Sequence, residues 1–390
     1  MYRPEDNRRC SGVALLLTLV VMVIMAALAY GITSTVSVFR HRTRYVIDHR
    51  IVCHARDSGI RFAIQTAGDL DLKLVSRPNE PDFSDLFHMS DRQLEDLVRP
   101  FFHGPAGPDG NEPNTLLALL IRGPYGPPWP LVTEPIELEI GQAKVTIEIE
   151  DENAKYPACW LLLQDQTLAR SVQAGFATLC EWMDWPTSQI EQVREQMAQI
   201  AQLKPYRPAV AATTGQRTPA PAARQPAQPG PIRPDLRTAT PTERNLLDLL
   251  RLLHSPMLDH QLLAKPTIVT DQRQESLARY IGLWGTDQVN INTAPRHVLE
   301  ATLAFVGDAA AIADAIIQQR RIQPFADQAD LRKRLTSYAD ALERCSRFIT
   351  FASTTFSIKV KAQCGSATSQ AVIGVTKAGT GVKIMGMVRS

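Results

Sequence analysis

"RRCSGVALLLTLVVMVIMAALAYGI", residues 8–32, decides how the rest of the chain is read. Paired arginines and the small residues Ser11 and Gly12 stand ahead of an apolar run, 13–32, that contains no charge. Thr18 and Tyr30 are its polar breaks, and it matches the roughly 20 residues a helix needs to cross a bilayer. A soluble helix of that length carries a polar face, so the run predicts a membrane span. Arg3, Arg8 and Arg9 precede it, while Arg40, Arg42, Arg44 and Arg50 follow closely. That balance does not favour an exported C-terminus, and charge alone leaves the orientation open. An ordinary secretory signal has a shorter apolar core that ends in a small-x-small site. Here the small residues come first, so a cut there would leave the apolar segment attached to the mature chain.

The 390 residues give room for two or three modest domains. A hydrophobic share of 44% and a charged share of 21% are ordinary for a globular protein. A formal charge of +2 exerts no global pull toward nucleic acid or a strongly acidic partner. No two of the six cysteines form a CxxC pair, so a zinc site is not indicated. The spacings permit Cys159–Cys180 or Cys345–Cys364 bridges in an oxidising compartment, with buried free thiols as the preferred reading.

Beyond the span, Ile47, Ile51, Ala55, Phe62, Ala63 and Leu70 recur at roughly helical spacing, with Arg50, Arg56, Asp57 and Arg61 between them. The helix is therefore expected to continue past the membrane, its apolar stripe seeking a partner surface. Residues 76–134 are rich in breakers, "HGPAGPDGNEP" and "GPYGPPWP" among them. "IELEIGQAKVTIEIE" then alternates: Ile136, Leu138 and Ile140 face one way, Glu137 and Glu139 the other, and Val145, Ile147 and Ile149 repeat the pattern. Gly141-Gln142 is the turn of an antiparallel hairpin with one wet face.

After "DENAKYP", Leu168, Val172, Phe176, Leu179 and Met183 describe an amphipathic helix that Pro186 ends. Ser188 and Glu191 read as a capping box for the next helix. The Pro/Ala/Gln/Arg-rich stretch 204–240 reads as a linker rather than a proline-motif ligand. Helix resumes with Thr240 as cap and Pro241 at its first position. "FSIKVKAQC" and "QAVIGVTKAGTGVKIMGMV" return to strand character, with Phe356, Ile358 and Val360 on one face. Strands on both sides of a helical block predict one β-sheet interrupted by an α-helical insertion.

"VNINTAPRHVLEATLAFVGDAAAIADAIIQQRRIQPFADQADLRKRL", from Val289, has its own grammar. Asn290 opens it, and Asn292 or Thr293 is expected to cap a helix whose first turn holds Ala294 and Pro295. Val298, Leu299 and Leu303 face inward, and a turn at Gly307-Asp308 leads to a helix with Ile312, Ala315 and Ile316 inside. Phe325 and Leu331 anchor a short third helix.

The placing of Ser11-Gly12 before the apolar run resembles the class III leader of type IV pilins and type II secretion pseudopilins, cleaved after glycine by prepilin peptidase. By that resemblance the cut follows Gly12 and the mature chain begins at Val13. Most such proteins carry glutamate at the fifth mature position, where a buried carboxylate neutralises a neighbour's N-terminal amine. Here that position is Leu17. The K-type minor pseudopilins (general secretion pathway protein K) lack this glutamate. "SGVALLL", "DENAK", the NINTAP block and the terminal strands follow one another as they do in that family.

The resemblance implies an α+β fold. A long N-terminal helix packs on an antiparallel sheet, with a large α-helical insertion of SAM-like, helix-hairpin-helix-like units. It divides the chain into a leader (1–12), the transmembrane and amphipathic helix (13–75) and the first part of the head (76–157). Two helical parts (158–203 and 241–345) flank the linker (204–240), and the last strands are 346–390. It also implies a non-catalytic subunit, inserted once in the bacterial inner membrane, with its bulk in the periplasm. Its place is the tip of the pseudopilus, beside other minor pseudopilins and the inner-membrane secretion platform.

"KYPACWLLL" after the acidic motif and the long linker depart from the family. Members can bind calcium in the helical domain. The oxygen-rich Asn79, Glu80, Asp82 and Asp85, and Asp151-Glu152, lack the spacing and glycine of a calcium loop. No cofactor is otherwise expected.

The NINTAP block also resembles the hairpins of membrane-anchored DNA-uptake receptors, which makes a minor pilin or a DNA-binding component of a type IV pilus machine the alternative. Its turn offers Gly307 followed by Asp308, whose carboxylate repels phosphate, against the basic Arg320, Arg321, Arg332, Lys333 and Arg334. Nucleic acid is therefore not the favoured partner. His254 and His260 lie six apart, wrong for one helix face, and no HExxH, G-x-S-x-G or P-loop is present, so no catalysis is expected.

Overall fold

The computed structural model describes residues 7–69, 136–204, 206, 241–269, 274–304, 306–378 and 381–389. Helix α1, Asn7–Asp69, is continuous over 63 residues, about 95 Å at 1.5 Å per residue. It leaves the expected membrane segment and continues onto the head without a break. The buried positions of its second half are Val52, Ala55, Arg56, Gly59, Ile60 and Ala63. The expected stripe is thus corrected in part: Ile47 and Phe62 are exposed, and Leu70 lies outside the described residues. Gly59 explains the rotation of the stripe. A Cβ there would stand 2.8 Å from Val145 Cγ1 and 3.2 Å from Val360 Cγ1, so the missing side chain lets the helix lie close on the sheet.

That sheet has five strands in sequential order: β1 Ile136–Ile140, β2 Ala143–Asp151, β3 Thr355–Cys364, β4 Ala367–Ala378 and β5 Gly381–Arg389. Every neighbouring pair is antiparallel. The β1–β2 hairpin turns at Gly141 with φ +63°, a left-handed conformation that glycine adopts without strain. Alternation along the strands separates two faces. Val145, Ile147, Ile149, Ile358, Val360, Ile373 and Val375 form one core with Val52, Ala55, Ile60 and Ala63 of α1.

The sheet is interrupted once, between β2 and β3, and the described part of the intervening chain is mainly helical, with three short two-stranded sheets. The helices are α2 Gln166–Trp182, α3 Thr187–Leu203, α4 Pro241–Leu253, α5 His260–Ala264, α6 Arg296–Leu303, α7 Ala309–Ile322, α8 Gln328–Arg334 and α9 Ala339–Cys345. They share one apolar core that includes Trp160, Phe176, Met197, Leu250, Leu299 and Ile316. The α+β layout, a long helix on an antiparallel sheet with a large helical insertion, is the observed one.

Three local expectations change. Helix α2 ends at Trp182, ahead of Pro186, where Asp184 turns left-handed at φ 52°. No capping box forms at α3. The carbonyl of Pro186 accepts from the N–H groups of Gln189 and Ile190, so the helix begins one residue before Ser188. Helix α6 starts at Arg296 after Pro295, and neither Asn292 nor Thr293 caps it. The Gly307-Asp308 turn before α7 forms as expected, with φ +71° and +49°. Thr240 lies outside the described residues.

Candidate functional site

The first functional region is the free half of α1. Of the described residues, one helix is long and apolar enough to cross a membrane, and its apolar stretch is unburied. Leu15, Leu16, Leu17, Met22 and Ile24 are all open to the surroundings. Three threonines along it are turned inward on the helix itself, whereas Tyr30 is exposed. Thr18, Thr33 and Thr35 donate to the carbonyls of Leu15, Ala29 and Gly31 at 2.7–2.8 Å, which satisfies their hydroxyls without any partner outside the helix. Gly12 and Val13 lie within α1. Leu17, 63% exposed, offers an isobutyl group to any neighbouring helix.

The second region is the stem of the helical insertion, where the acidic motif and the NINTAP block meet. Asp151 is the last residue of β2, and its register partner on β3 is Phe356. Its carboxylate accepts from Thr293 Oγ1 at 2.7 Å, Ser353 Oγ at 2.6 Å and the Asn153 N–H at 2.9 Å. Asn153 donates to the Gln288 carbonyl and accepts from the N–H groups of Thr354 and Thr355. Asn290 donates to Ser353 Oγ and accepts from the Asn292 N–H. Asn292 in turn donates to the carbonyls of Phe325 and Phe351 and accepts the Phe325 N–H. The block's asparagines and threonine thus bridge chain segments instead of capping a helix. Ala294 and Pro295 are buried, and the Ala294 carbonyl accepts from Arg320, as does that of Ile291.

Charge is balanced at the same stem. Lys155, buried, donates to Glu152 at 2.6 Å and to Glu150 at 2.7 Å, and Lys359 also pairs with Glu150. Burial alone raises the Glu150 carboxyl, but the two lysines outweigh it and hold the group down at about 2. Burial pushes the Asp151 carboxyl above its usual range, and its three hydrogen-bond donors oppose that only in part.

These contacts decide what the stem can do. Asp151 and Glu152 do not fit the calcium site that the family resemblance implies. Hydroxyl and backbone N–H donors occupy both Asp151 oxygens, and Lys155 and Ser357 occupy Glu152 Oε1. Although Glu152 Oε2 is buried without a partner among the described residues, the Lys155 ammonium stands where a cation would be repelled. Asn79, Glu80, Asp82 and Asp85 lie outside the described residues. Among the described residues no group of three or more His, Cys, Asp or Glu is arranged to hold a metal.

Three of the basic residues that follow the NINTAP block are engaged within the fold. Arg320 is buried, Arg332 pairs with Glu343, and Arg334 pairs with Asp330 and lies over the Phe325 ring.

Sequence spacing missed the histidine pair. His254 follows α4 and His260 opens α5, and the turn between them stacks the rings at 5.8 Å, with His254 also 4.1 Å from Trp284. Burial, then His260, lowers His254 to about 4. Cys159, Cys180, Cys345 and Cys364 are buried free thiols. Burial pushes Cys159 and Cys180 up to about 12 and Cys345 to about 11, which makes them poor nucleophiles.

No family model matches the chain, and no curated protein matches it. Among solved structures it is similar to the GspK-GspI-GspJ complex from the enterotoxigenic Escherichia coli Type 2 Secretion System. The identity is 15%, the match covers 71% of this chain and 91% of that chain, and the TM-score is 0.40. A likeness at that level carries no functional argument.

Proposed function

We propose that the chain is a non-catalytic, membrane-anchored minor pseudopilin of the K type, acting at the tip of a type II secretion pseudopilus in protein export. In this reading prepilin peptidase removes residues 1–12, and 13–32 holds the mature chain in the inner membrane with the head in the periplasm. Its partners are other minor pseudopilins, the pseudopilus and the inner-membrane secretion platform.

The observation that carries the reading is the single helix α1. Its first half is exposed and apolar, its second half is packed on an antiparallel sheet, and Ser11-Gly12 precede the apolar run. A subunit of a helical assembly needs that continuity, because its anchor and its head must move as one body. Leu17 fits a terminal place: with no carboxylate there, the subunit cannot neutralise the amine of a subunit ahead of it. The engagement of Arg320, Arg332 and Arg334 within the fold weighs against the DNA-uptake alternative.

The test is the intact mass and N-terminal sequence of membrane-extracted chain, made with and without prepilin peptidase. The proposal expects a start at Val13 only when the peptidase is present. A start at Met1 in both cases makes the apolar run a plain signal anchor and removes the pseudopilin reading. A salt series of binding to duplex DNA then addresses the alternative, since phosphate binding weakens steeply with salt.

A further inference from the structure

Between the apolar run and Val52, where α1 first becomes buried, the helix carries Arg40, His41, Arg42, Arg44, His49 and Arg50, all exposed. Asp48 is the one acid between residues 40 and 50. At about 3.6 residues per turn, Arg40 and Arg44 share one side of the helix while Arg42 and Arg50 point to others. The charge therefore forms a collar around α1 rather than a stripe. None of the four arginines pairs with a carboxylate among the described residues. Arg56, the next arginine along, differs: it is buried and held by Asp57 and Ser369. The collar's cations are thus not used by the fold.

Their height along the helix is specific. Residues 13–39 contain no charged side chain, and as a helix they span about 40 Å. A bilayer measured through its headgroups is about 40–45 Å thick. With Val13 at one surface, Arg40 reaches the headgroup layer of the other. Tyr45 stands among the arginines, half exposed and stacked on His49 at 6.1 Å, and amphipathic rings collect at that depth.

We propose that this collar binds the phosphodiester headgroups of anionic phospholipids on the membrane face from which the head projects. The proposal rests on α1 being the membrane anchor and is independent of cleavage or of a place at a pilus tip. A lipid surface fits better than nucleic acid because lipids surround a helix on every side, whereas a duplex meets one side only. Guanidinium groups bind phosphate through paired N–H donors, which adds geometry to the attraction.

The experiment uses the full chain in neutral detergent, titrated with phosphatidylglycerol or phosphatidylcholine and read by native mass spectrometry. The wild type is compared with the combined variant R40Q/R42Q/R44Q/R50Q. We expect the wild type to retain phosphatidylglycerol about tenfold better than phosphatidylcholine, and the variant to lose the preference. Inorganic phosphate at the same concentration should not displace the lipid, which separates a lipid surface from free phosphate. Equal retention of both lipids by the wild type overturns the proposal, as does an unchanged preference in the variant. Tight binding of a short DNA duplex through the same arginines also overturns it. Retention of each protein in membranes washed with alkaline carbonate is measured in parallel. Loss of the wild type in that wash would fail the anchor reading itself, a result distinct from failure of the collar.

Discussion

Asp151 gathers three donors from three separate stretches of chain, at Asn153, Thr293 and Ser353, and none of these bonds reaches solvent. Removing the carboxylate leaves two hydroxyls and an N–H buried without an acceptor, each costing about 1–3 kcal/mol. Asp151→Ala is therefore expected to destabilise the head by at least about 3 kcal/mol, read from the urea midpoint of the detergent-solubilised chain. Asp151→Asn, which keeps one acceptor oxygen, should lose less.

Glu150, one residue earlier, makes the opposite electrostatic statement. Its carboxyl is held at about 2 in the fold against an ordinary 4.5, so the folded state binds that proton more weakly than the unfolded chain. The stabilisation is complete above about pH 4.5 and is lost as the pH falls toward about 2. Asp151, raised, contributes with the reverse sign, favouring the fold at low pH and fading as the pH rises. Melting temperatures of wild type and Glu150→Gln measured down through that window should converge as acid removes what Glu150 supplies. Parallel curves would assign the lysine pairs no role in stability.

At the scale of elements, close approaches set the packing. Gly175 of α2 faces α6, where a Cβ would stand 2.3 Å from the Ala301 carbonyl oxygen and 3.2 Å from the Tyr156 hydroxyl. A backbone atom cannot turn aside as a side chain can. Gly175→Ala should therefore push the two helices apart, costing about 1–3 kcal/mol. Hydrogen exchange should show the loss first in α2 and α6. An exchange pattern equal to the wild type's would mean that the helices slide without penalty.

Elements are also where the sequence was most and least legible. The hairpin of β1 and β2 is written in strict alternation, and the Gly307-Asp308 turn in residues that tolerate left-handed backbone. The stripe on α1 was legible only in part, because Gly59 adds nothing to an apolar pattern yet determines which side approaches the sheet. The stem was less legible still. Asn292 and Thr293 before a proline read locally as caps, while their partners Phe325, Phe351 and Asp151 lie 33, 59 and 142 residues away. Local spacing carries no trace of such pairings. The stacking of His254 on His260 was hidden for a related reason: the turn between α4 and α5 brings together what helical periodicity keeps apart.

For the molecule as a whole, two joints between the cores stand out among the described residues. One is the polar stem. The other is Trp284, which belongs to the helical insertion but lies on the sheet face opposite α1. A Cβ on Gly374 would stand 2.0 Å from its ring, and one on Gly386 3.1 Å. These two glycines are register partners on β4 and β5, so the indole fills the space two missing side chains leave. Beside them Met385 has no register partner and is buried with the helical core. If Trp284 transmits folding between the cores, Trp284→Ala should cost about 3–5 kcal/mol and also change the form of unfolding. A wild-type chain coupled through both joints is expected to melt in one transition, and the variant in two, the sheet with α1 separating from the insertion. Trp284→Phe, which keeps a ring over the glycines, should restore the single transition at a lower temperature. The measurement is far-UV circular dichroism melting alongside hydrogen exchange resolved by segment. One common transition in the alanine variant, with every segment shifted equally, would place the coupling in the Asp151 stem instead.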